Sequence, residues 1–145
     1  MKTSANLSTL YTELPFMKRF TAARRDSFHA VEIQFPYDYP ISDIKRQLID
    51  NDLKCVLINV SAGDLMQGGE GLACVPRKTA EYAAAVVECL SYARALKIPT
   101  VNVLPGCCRI PERREEYMAT FIRNLQVIAD SFAPFGITTT FEAIN

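Results

Sequence analysis

The sequence predicts an α/β fold built on a parallel sheet. Segments with the two-residue period of a strand alternate along the chain with segments whose apolar residues recur every three or four positions, as in a helix. Residues 54–60 form a nearly continuous apolar run, which is typical of a parallel strand covered on both faces. The length of 145 residues suits one domain, which we assign to residues 1–145.

Five strands are predicted from runs of β-branched and aromatic residues bounded by glycine, proline or polar residues. They cover residues 4–11, 30–35, 54–60, 100–104 and 137–145. Side chains alternate along a strand, so Val31 and Ile33 share one face of the second strand and Glu32 takes the other. In the last strand the same alternation places Glu142 on the face of Thr140, near the carboxyl end.

Four helices separate these strands. They begin near Pro15, Ile41, Thr79 and Pro111. Proline suits the first turn of a helix, where its missing N–H is not needed. A glycine-rich loop, residues 61–76, precedes the third helix and matches no phosphate-binding motif. Its acidic residues Asp64 and Glu70 are either lid residues over a site or solvated loop charges, and we favour the second interpretation.

The composition argues against several classes of protein. Sixteen basic residues balance sixteen acidic residues, so no basic footprint for nucleic acid is present. No apolar run approaches the length of a membrane span. Five cysteines without CxxC spacing and a single histidine, His29, indicate neither a disulfide framework nor a zinc site. We therefore expect a cytoplasmic protein that binds neither nucleic acid nor membrane.

Polar residues near the carboxyl ends of four strands form the candidate site. If the sheet curls as in a barrel, the apolar faces pack on helices and Glu32 and Glu142 point inward. Asn59 and Asn102 interrupt two apolar strands at the same end. Four oxygen-bearing side chains at one mouth suit a hard divalent cation or a polyol. For the two asparagines, hydrogen bonding to loop backbone is an equal alternative, and an internal arginine is an alternative partner for Glu32.

Four βα units and a final strand are too few for a closed eight-stranded barrel, which typically takes about 250 residues. The residue pattern alone therefore leaves an open, doubly wound sheet as an alternative.

Several segments together resemble the hydroxypyruvate isomerase family of xylose-isomerase-like TIM barrels. They are residues 5–8 (ANLS), 35–40 (FPYDYP), Asn59 with Gly63 and Asp64, residues 68–76, residues 92–96 (YARAL) and the closing residues 142–145 (EAIN). The similarity covers the amino-terminal half of a typical member. It implies that the chain forms the first half of a TIM (β/α)8 barrel and ends at the fifth strand.

The resemblance also implies a chemistry. Family members interconvert hydroxypyruvate and tartronate semialdehyde, and Glu142 matches the glutamate that serves them as general acid/base and metal ligand. The expected cofactor is Mg²⁺ or Mn²⁺, and the expected substrate is a small hydroxy-oxo acid, with Glu32, Asn59 and Asn102 as candidate substrate contacts. Ala143 replaces a usual proline, and Gly69 and Arg77 also depart from the family pattern.

The second glutamate of the family lies on the eighth strand, which has no counterpart in this sequence. One alternative is therefore a non-catalytic half-barrel that self-associates through its open first and fifth strand edges, forming a homo-oligomer. A further alternative is an abasic-site endonuclease, since these enzymes share the barrel superfamily. The neutral charge and the single histidine disfavour this interpretation.

Overall fold

A computed structural model describes residues 3–143 of the chain. Five strands alternate with four helices, in the order β1 (Ala5–Asn6), α1 (Phe16–Arg25), β2 (Ala30–Ile33), α2 (Ile41–Asp50), β3 (Lys54–Asn59), α3 (Thr79–Leu96), β4 (Thr100–Val103), α4 (Arg114–Phe132) and β5 (Thr138–Phe141). Short 3₁₀ turns lie at Leu65–Gln67, Pro76–Lys78, Pro111–Arg113 and Ala133–Phe135. The alternation confirms the predicted α/β class.

The five strands form one parallel sheet in the order β1-β2-β3-β4-β5. Each crossover therefore moves to the next strand in the same direction. Because such crossovers share one hand, the connecting helices all lie on the same face of the sheet. A doubly wound sheet would reverse direction and carry helices on both faces. The alternative of a doubly wound sheet is therefore wrong, and the winding is that of a barrel.

The hydrophobic core lies between the sheet and its helices. Val31 and Ile33 of β2 and Val101 of β4 are almost fully buried, as are Phe20 of α1 and Ile128 of α4. Val31 and Ile33 occupy the alternate strand positions that were predicted to face the helices. Burial of this apolar surface supplies the main driving force for folding. Among residues 3–143, no helix is both long enough and apolar enough to cross a membrane.

The first strand is much shorter than the predicted span 4–11, and its side chains explain the difference. After Asn6 the chain turns, because the N–H groups of Thr9 and Leu10 donate to the backbone oxygen of Asn6 at 3.2 and 2.8 Å. The side-chain Oδ1 of Asn6 also accepts from the N–H of Ser8 at 2.9 Å. An asparagine side chain commonly accepts a hydrogen bond from the backbone N–H two residues further on, in place of a backbone oxygen. The resulting turn ends the strand.

The predicted last strand is also longer than the observed one. Strand β5 covers Thr138–Phe141, and Glu142 follows it immediately. Ile144 and Asn145, which the prediction included, lie outside the described residues. The ring of Phe141 contacts that of Phe121 in α4 at 5.7 Å between centroids, as expected for a helix-facing residue. Phe141 nevertheless stays 59% exposed, because β5 is an edge of this sheet.

Asp64 and Glu70 have partners that the interpretation as solvated loop charges did not include, although the Asp64 side chain stays 52% exposed, against 17% for Glu70. Asp64 pairs with Lys78 at 2.9 Å and accepts from the N–H of Gly71 at 2.9 Å. Glu70 pairs with Arg77 and accepts from the Tyr117 hydroxyl at 2.6 Å. Both carboxylates therefore fasten the loop to neighbouring parts of the fold. The departure from the family pattern at Gly69 also has a local explanation, since a Cβ there would collide with the Asp64 carboxylate.

A buried hydroxyl on β5 generates a stability prediction. The Oγ1 of Thr139 is the only buried side-chain nitrogen or oxygen in residues 3–143 that lacks a hydrogen-bond partner. Such a group loses its hydration without compensation. We expect Thr139→Val to raise the free energy of unfolding by about 1 kcal/mol, measured by urea denaturation. Thr138→Val, on the exposed face of the same strand, is the control, and a destabilised Thr139→Val protein would contradict the prediction.

The Glu70 contacts generate a prediction of pH dependence. The hydrogen bond from Arg77, followed by that from Tyr117, lowers the pKa of Glu70 from its ordinary value of 4.5. A lowered pKa means that ionised Glu70 stabilises the fold above pH 4.5 and that this contribution disappears as the pH falls below that value. Glu70→Gln should therefore lower the urea midpoint at pH 7, with a difference from wild type that shrinks towards pH 3.

The control for Glu70→Gln is Glu88→Gln, because Glu88 is exposed on α3 and forms no ion pair within residues 3–143. A Glu70→Gln deficit that is equal at both pH values would show that the ionisation of Glu70 does not stabilise the loop.

Candidate active site

The predicted site residues line one cavity on the sheet face that carries no helices. The cavity has a volume of about 330 Å³. It is lined by Asn6, Glu32, Gln34, Leu57, Asn59, Asn102 and Glu142. The structure therefore brings together all four residues that were singled out from the sequence. Their roles in binding or catalysis remain predictions.

Strand register explains why these side chains meet. Asn6 of β1 lies beside Glu32 of β2, and Asn59 of β3 lies beside Asn102 of β4. Glu142 follows β5, and its N–H donates to the backbone oxygen of Val103 at 3.3 Å. Alternation turns these residues away from the helices. The carboxyl ends of parallel strands share one edge, so their polar side chains converge there.

The inner face of the sheet is unusually polar for a barrel. Barrel interiors are generally filled by layers of bulky apolar side chains. Here Leu57 is the only apolar residue among those that line the cavity. Glu32 forms no ion pair in residues 3–143, so the alternative of neutralisation by an internal arginine is not observed. Two carboxylates therefore face a cavity with amide groups around them.

Three neighbouring strands carry a chain of side-chain hydrogen bonds, which we call the amide ladder and define as Asn59, Asn102 and Thr140. The Nδ2 of Asn102 donates to the Oδ1 of Asn59 at 3.2 Å. The Thr140 hydroxyl donates a hydrogen bond that is shared between the backbone oxygen of Val101 at 3.2 Å and the Oδ1 of Asn102 at 3.3 Å. Asn59 and Asn102 are only 4% and 6% exposed. Their side chains thus bond to each other, and neither caps loop backbone within residues 3–143.

A tyrosine behind the ladder fixes the end of β3. The hydroxyl of Tyr37 donates to the backbone oxygen of Asn59 at 2.5 Å. Burial raises the pKa of Tyr37, so the hydroxyl keeps its proton and remains a donor. The Tyr37 ring packs edge-on against Tyr92, whose hydroxyl donates to the backbone oxygen of Tyr39 at 2.8 Å. The segment 35–40 therefore holds the end of β3 in place beside the site.

Sequence reasoning missed Asn6 and Gln34 as cavity residues. Gln34 lies two residues after Glu32 and therefore on the same face of the strand, so extending the alternation by one step would have found it. Asn6 lies in a strand of only two residues, where no periodicity is visible. Thr140 was placed on the face of Glu142, but its bond to Asn102 depends on the register of β4 and β5. That register has no signal in the sequence.

The donor set of the cavity fits a hard cation only in part. Carboxylate and amide oxygens are suitable ligands for Mg²⁺ or Mn²⁺. Within residues 3–143, however, no group of three or more His, Cys, Asp or Glu side chains is arranged to hold a metal ion. Glu142 and Glu32 would supply two of the several oxygens that such an ion requires.

Comparison with known proteins places this geometry in a family. The profile described as Xylose isomerase-like TIM barrel matches residues 20–145. The 2-oxo-tetronate isomerase of Pectobacterium atrosepticum is 40% identical over 99% of this chain and 55% of its own length. The hydroxypyruvate isomerase of Escherichia coli is 37% identical over 100% of this chain and 56% of its own length. The chain thus spans about half the length of these relatives.

A solved structure gives the same result. The crystal structure of AP endonuclease, family 2 from Brucella melitensis superposes with a TM-score of 0.93 at 37% sequence identity, covering 99% of this chain and 55% of that protein. The sequential parallel sheet, the share of the relatives that is covered and the profile match agree with one another. The fold is half of a TIM barrel, and the chain belongs to the Xylose isomerase-like TIM barrel family.

Proposed function

We propose that this chain carries the amino-terminal part of an isomerase site that interconverts hydroxypyruvate and tartronate semialdehyde, with Glu142 as the general acid/base. The observation that carries the proposal is the convergence of Glu142 and Glu32 on one polar cavity. The names of the relatives, hydroxypyruvate isomerase and 2-oxo-tetronate isomerase, support a small hydroxy-oxo acid as substrate.

The reaction needs a carboxylate beside two adjacent carbon atoms. Glu142 removes a proton from C3, the hydroxymethyl carbon of hydroxypyruvate, and the electron pair forms an enediolate across C2 and C3. A proton is then delivered to C2, and the hydroxyl proton on C3 moves to the C2 oxygen, which leaves an aldehyde at C3. No atom is gained or lost. General acid/base catalysis of this kind typically contributes about 10²- to 10⁴-fold.

The remaining cavity residues bind and orient the acid. Glu32 accepts a hydrogen bond from a substrate hydroxyl, and the buried asparagines supply amide groups at the same mouth. Glu142 would also hold Mg²⁺ or Mn²⁺, which when bound would stabilise the negative charge of the enediolate oxygens. The second proton-transferring carboxylate of the family has no equivalent among these 145 residues, so a further polypeptide, such as a second copy of the chain, must provide that group.

The name of the Brucella melitensis structure raises the alternative of abasic-site cleavage. Phosphate binding requires clustered basic residues, whereas this cavity is lined by two carboxylates and no arginine or lysine. The isomerase proposal is therefore better supported by the site.

Substitution of each carboxylate separates the two roles. With hydroxypyruvate and Mg²⁺ or Mn²⁺, we expect Glu142→Gln to lower kcat by about 100-fold or more, because the transferred proton loses its acceptor. Glu32→Gln should raise KM by several-fold with a smaller effect on kcat. The measurement is tartronate semialdehyde formation by the purified chain. Wild-type turnover that survives Glu142→Gln would refute the role of Glu142.

A non-catalytic, self-associating half-barrel is the second candidate, and one observation favours it. In the described sheet, β1 and β5 each have a single hydrogen-bonded neighbour. Beside the β5 edge, Phe141, Met118 and Ile122 are 59%, 50% and 60% exposed. An unpaired strand flanked by exposed apolar side chains is a surface on which a second copy of the chain can pack.

Self-association can be tested by sedimentation. If copies pair at this edge, the average mass of the wild type should rise with concentration, and Phe141→Glu should shift that rise to at least about tenfold higher concentration. Val87→Glu is the matched control, since Val87 is 66% exposed on α3, away from the edge. A wild type that stays monomeric over the same range would exclude this candidate.

A further inference from the structure

The hydrogen bonds of the amide ladder have a direction. The Nδ2 of Asn102 donates to the Oδ1 of Asn59, and the Oδ1 of Asn102 accepts from the Thr140 hydroxyl, which also donates to the backbone oxygen of Val101. The Nδ2 of Asn59 has no acceptor among the described residues, and it is not among their buried unpartnered atoms. Asn59 itself lines the cavity. Within residues 3–143, the ladder thus ends at the cavity in an N–H donor without an acceptor.

The surroundings of Asn59 hold this orientation. An asparagine amide can turn over, which would present Oδ1 to the cavity in place of Nδ2. The cavity also contains the carboxylates of Glu32 and Glu142. Their negative charge repels an amide oxygen and attracts the amide N–H groups. The hydrogen bond from Asn102 to Oδ1 then retains the oxygen on the opposite side.

We propose that the Nδ2 of Asn59 donates a hydrogen bond to the C2 carbonyl oxygen of a bound 2-oxo acid, and that Asn102 and Thr140 are positioning residues that keep this donor pointed into the cavity. This inference rests on the proposed isomerase function and adds the atom that selects an oxo acid over a hydroxy acid. It also moves Asn102 from a substrate contact to a support for Asn59.

The chemistry of the reaction requires such a donor. The carboxylates of the site accept hydrogen bonds and cannot donate them when ionised, so neither can bind a carbonyl oxygen. When the proton leaves C3, negative charge develops on that same oxygen. A pre-oriented N–H donor stabilises this charge more than it stabilises the neutral carbonyl. Asn59 therefore contributes both to recognition and to the proton-transfer step.

The experiment reverses the ladder with a nearly isosteric substitution. A carboxylate introduced by Asn102→Asp accepts from the Thr140 hydroxyl and also from the Nδ2 of Asn59, so Asn59 must turn and present Oδ1 to the cavity. The probes are pyruvate and lactate, which differ only in the oxygen at C2 and lack the C3 hydroxyl that isomerisation needs. Dissociation constants are measured by NMR titration of the ¹⁵N-labelled chain.

We expect the wild type to prefer pyruvate over lactate, and Asn102→Asp to reduce that preference by about fivefold or more, the change expected for one hydrogen bond. Gln34→Glu is the charge control, because it adds the same charge to the cavity outside the ladder. It should weaken both ligands equally and leave the ratio of the two dissociation constants unchanged. Asn59→Asp, which replaces the donor itself, should reduce the preference for pyruvate in the same way. It takes the place of Asn102→Asp in the experiment if that variant does not fold.

An unchanged ratio in Asn102→Asp or Asn59→Asp would overturn the inference, as would a wild type that binds neither acid. The proposed function is tested separately, by measuring the turnover of hydroxypyruvate. A chain that isomerises hydroxypyruvate through Glu142 and still keeps its pyruvate preference after Asn102→Asp would leave the proposed function standing. That result would refute only the positioning role of the amide ladder.

Discussion

The helices cover only one face of the sheet, because each strand is followed by a crossover to its immediate neighbour. Side chains alternate along every strand, so this winding divides the residues into a helix-facing set and an inner set. The helix-facing set builds the core, including Val31, Ile33 and Val101. The inner set has no helix to pack against and can be polar without cost. The winding therefore leaves this face free of helices, and the polar residues of the inner set line the cavity there.

The fold was largely predictable, and the errors have local causes. Four helices and five strands were placed correctly because long periodic segments such as α3 and α4 carry a clear signal. The predicted first strand was too long, because the side chain of Asn6 accepts a hydrogen bond from the N–H of Ser8 and the chain turns there. The sheet order could not be derived from spacing alone. It depended on the family resemblance, which the comparisons confirm.

The site was predictable in its membership but not in its connections. Glu32 was found because it is a charged residue at an alternate position of an apolar strand, and Glu142 because it lies near the carboxyl end of the last strand and matches the family glutamate. Sequence reasoning could not determine that Asn59 and Asn102 bond to each other, since this depends on the register between β3 and β4. It also could not assign Glu70, whose partners Arg77 and Tyr117 come from two separate segments. Long-range pairings of this kind have no local signature.

The polar inner face has a consequence for the order of events during synthesis. Most of the apolar surface of these βα units is buried between their own sheet and helices, with single exposed residues such as Ile49 and Val87, while the face left open is mostly hydrophilic. A chain that emerges amino terminus first from the ribosome can therefore complete this core without exposing a large apolar surface on the inner side. In kinetic terms, the half-barrel is suited to act as a cooperative folding unit.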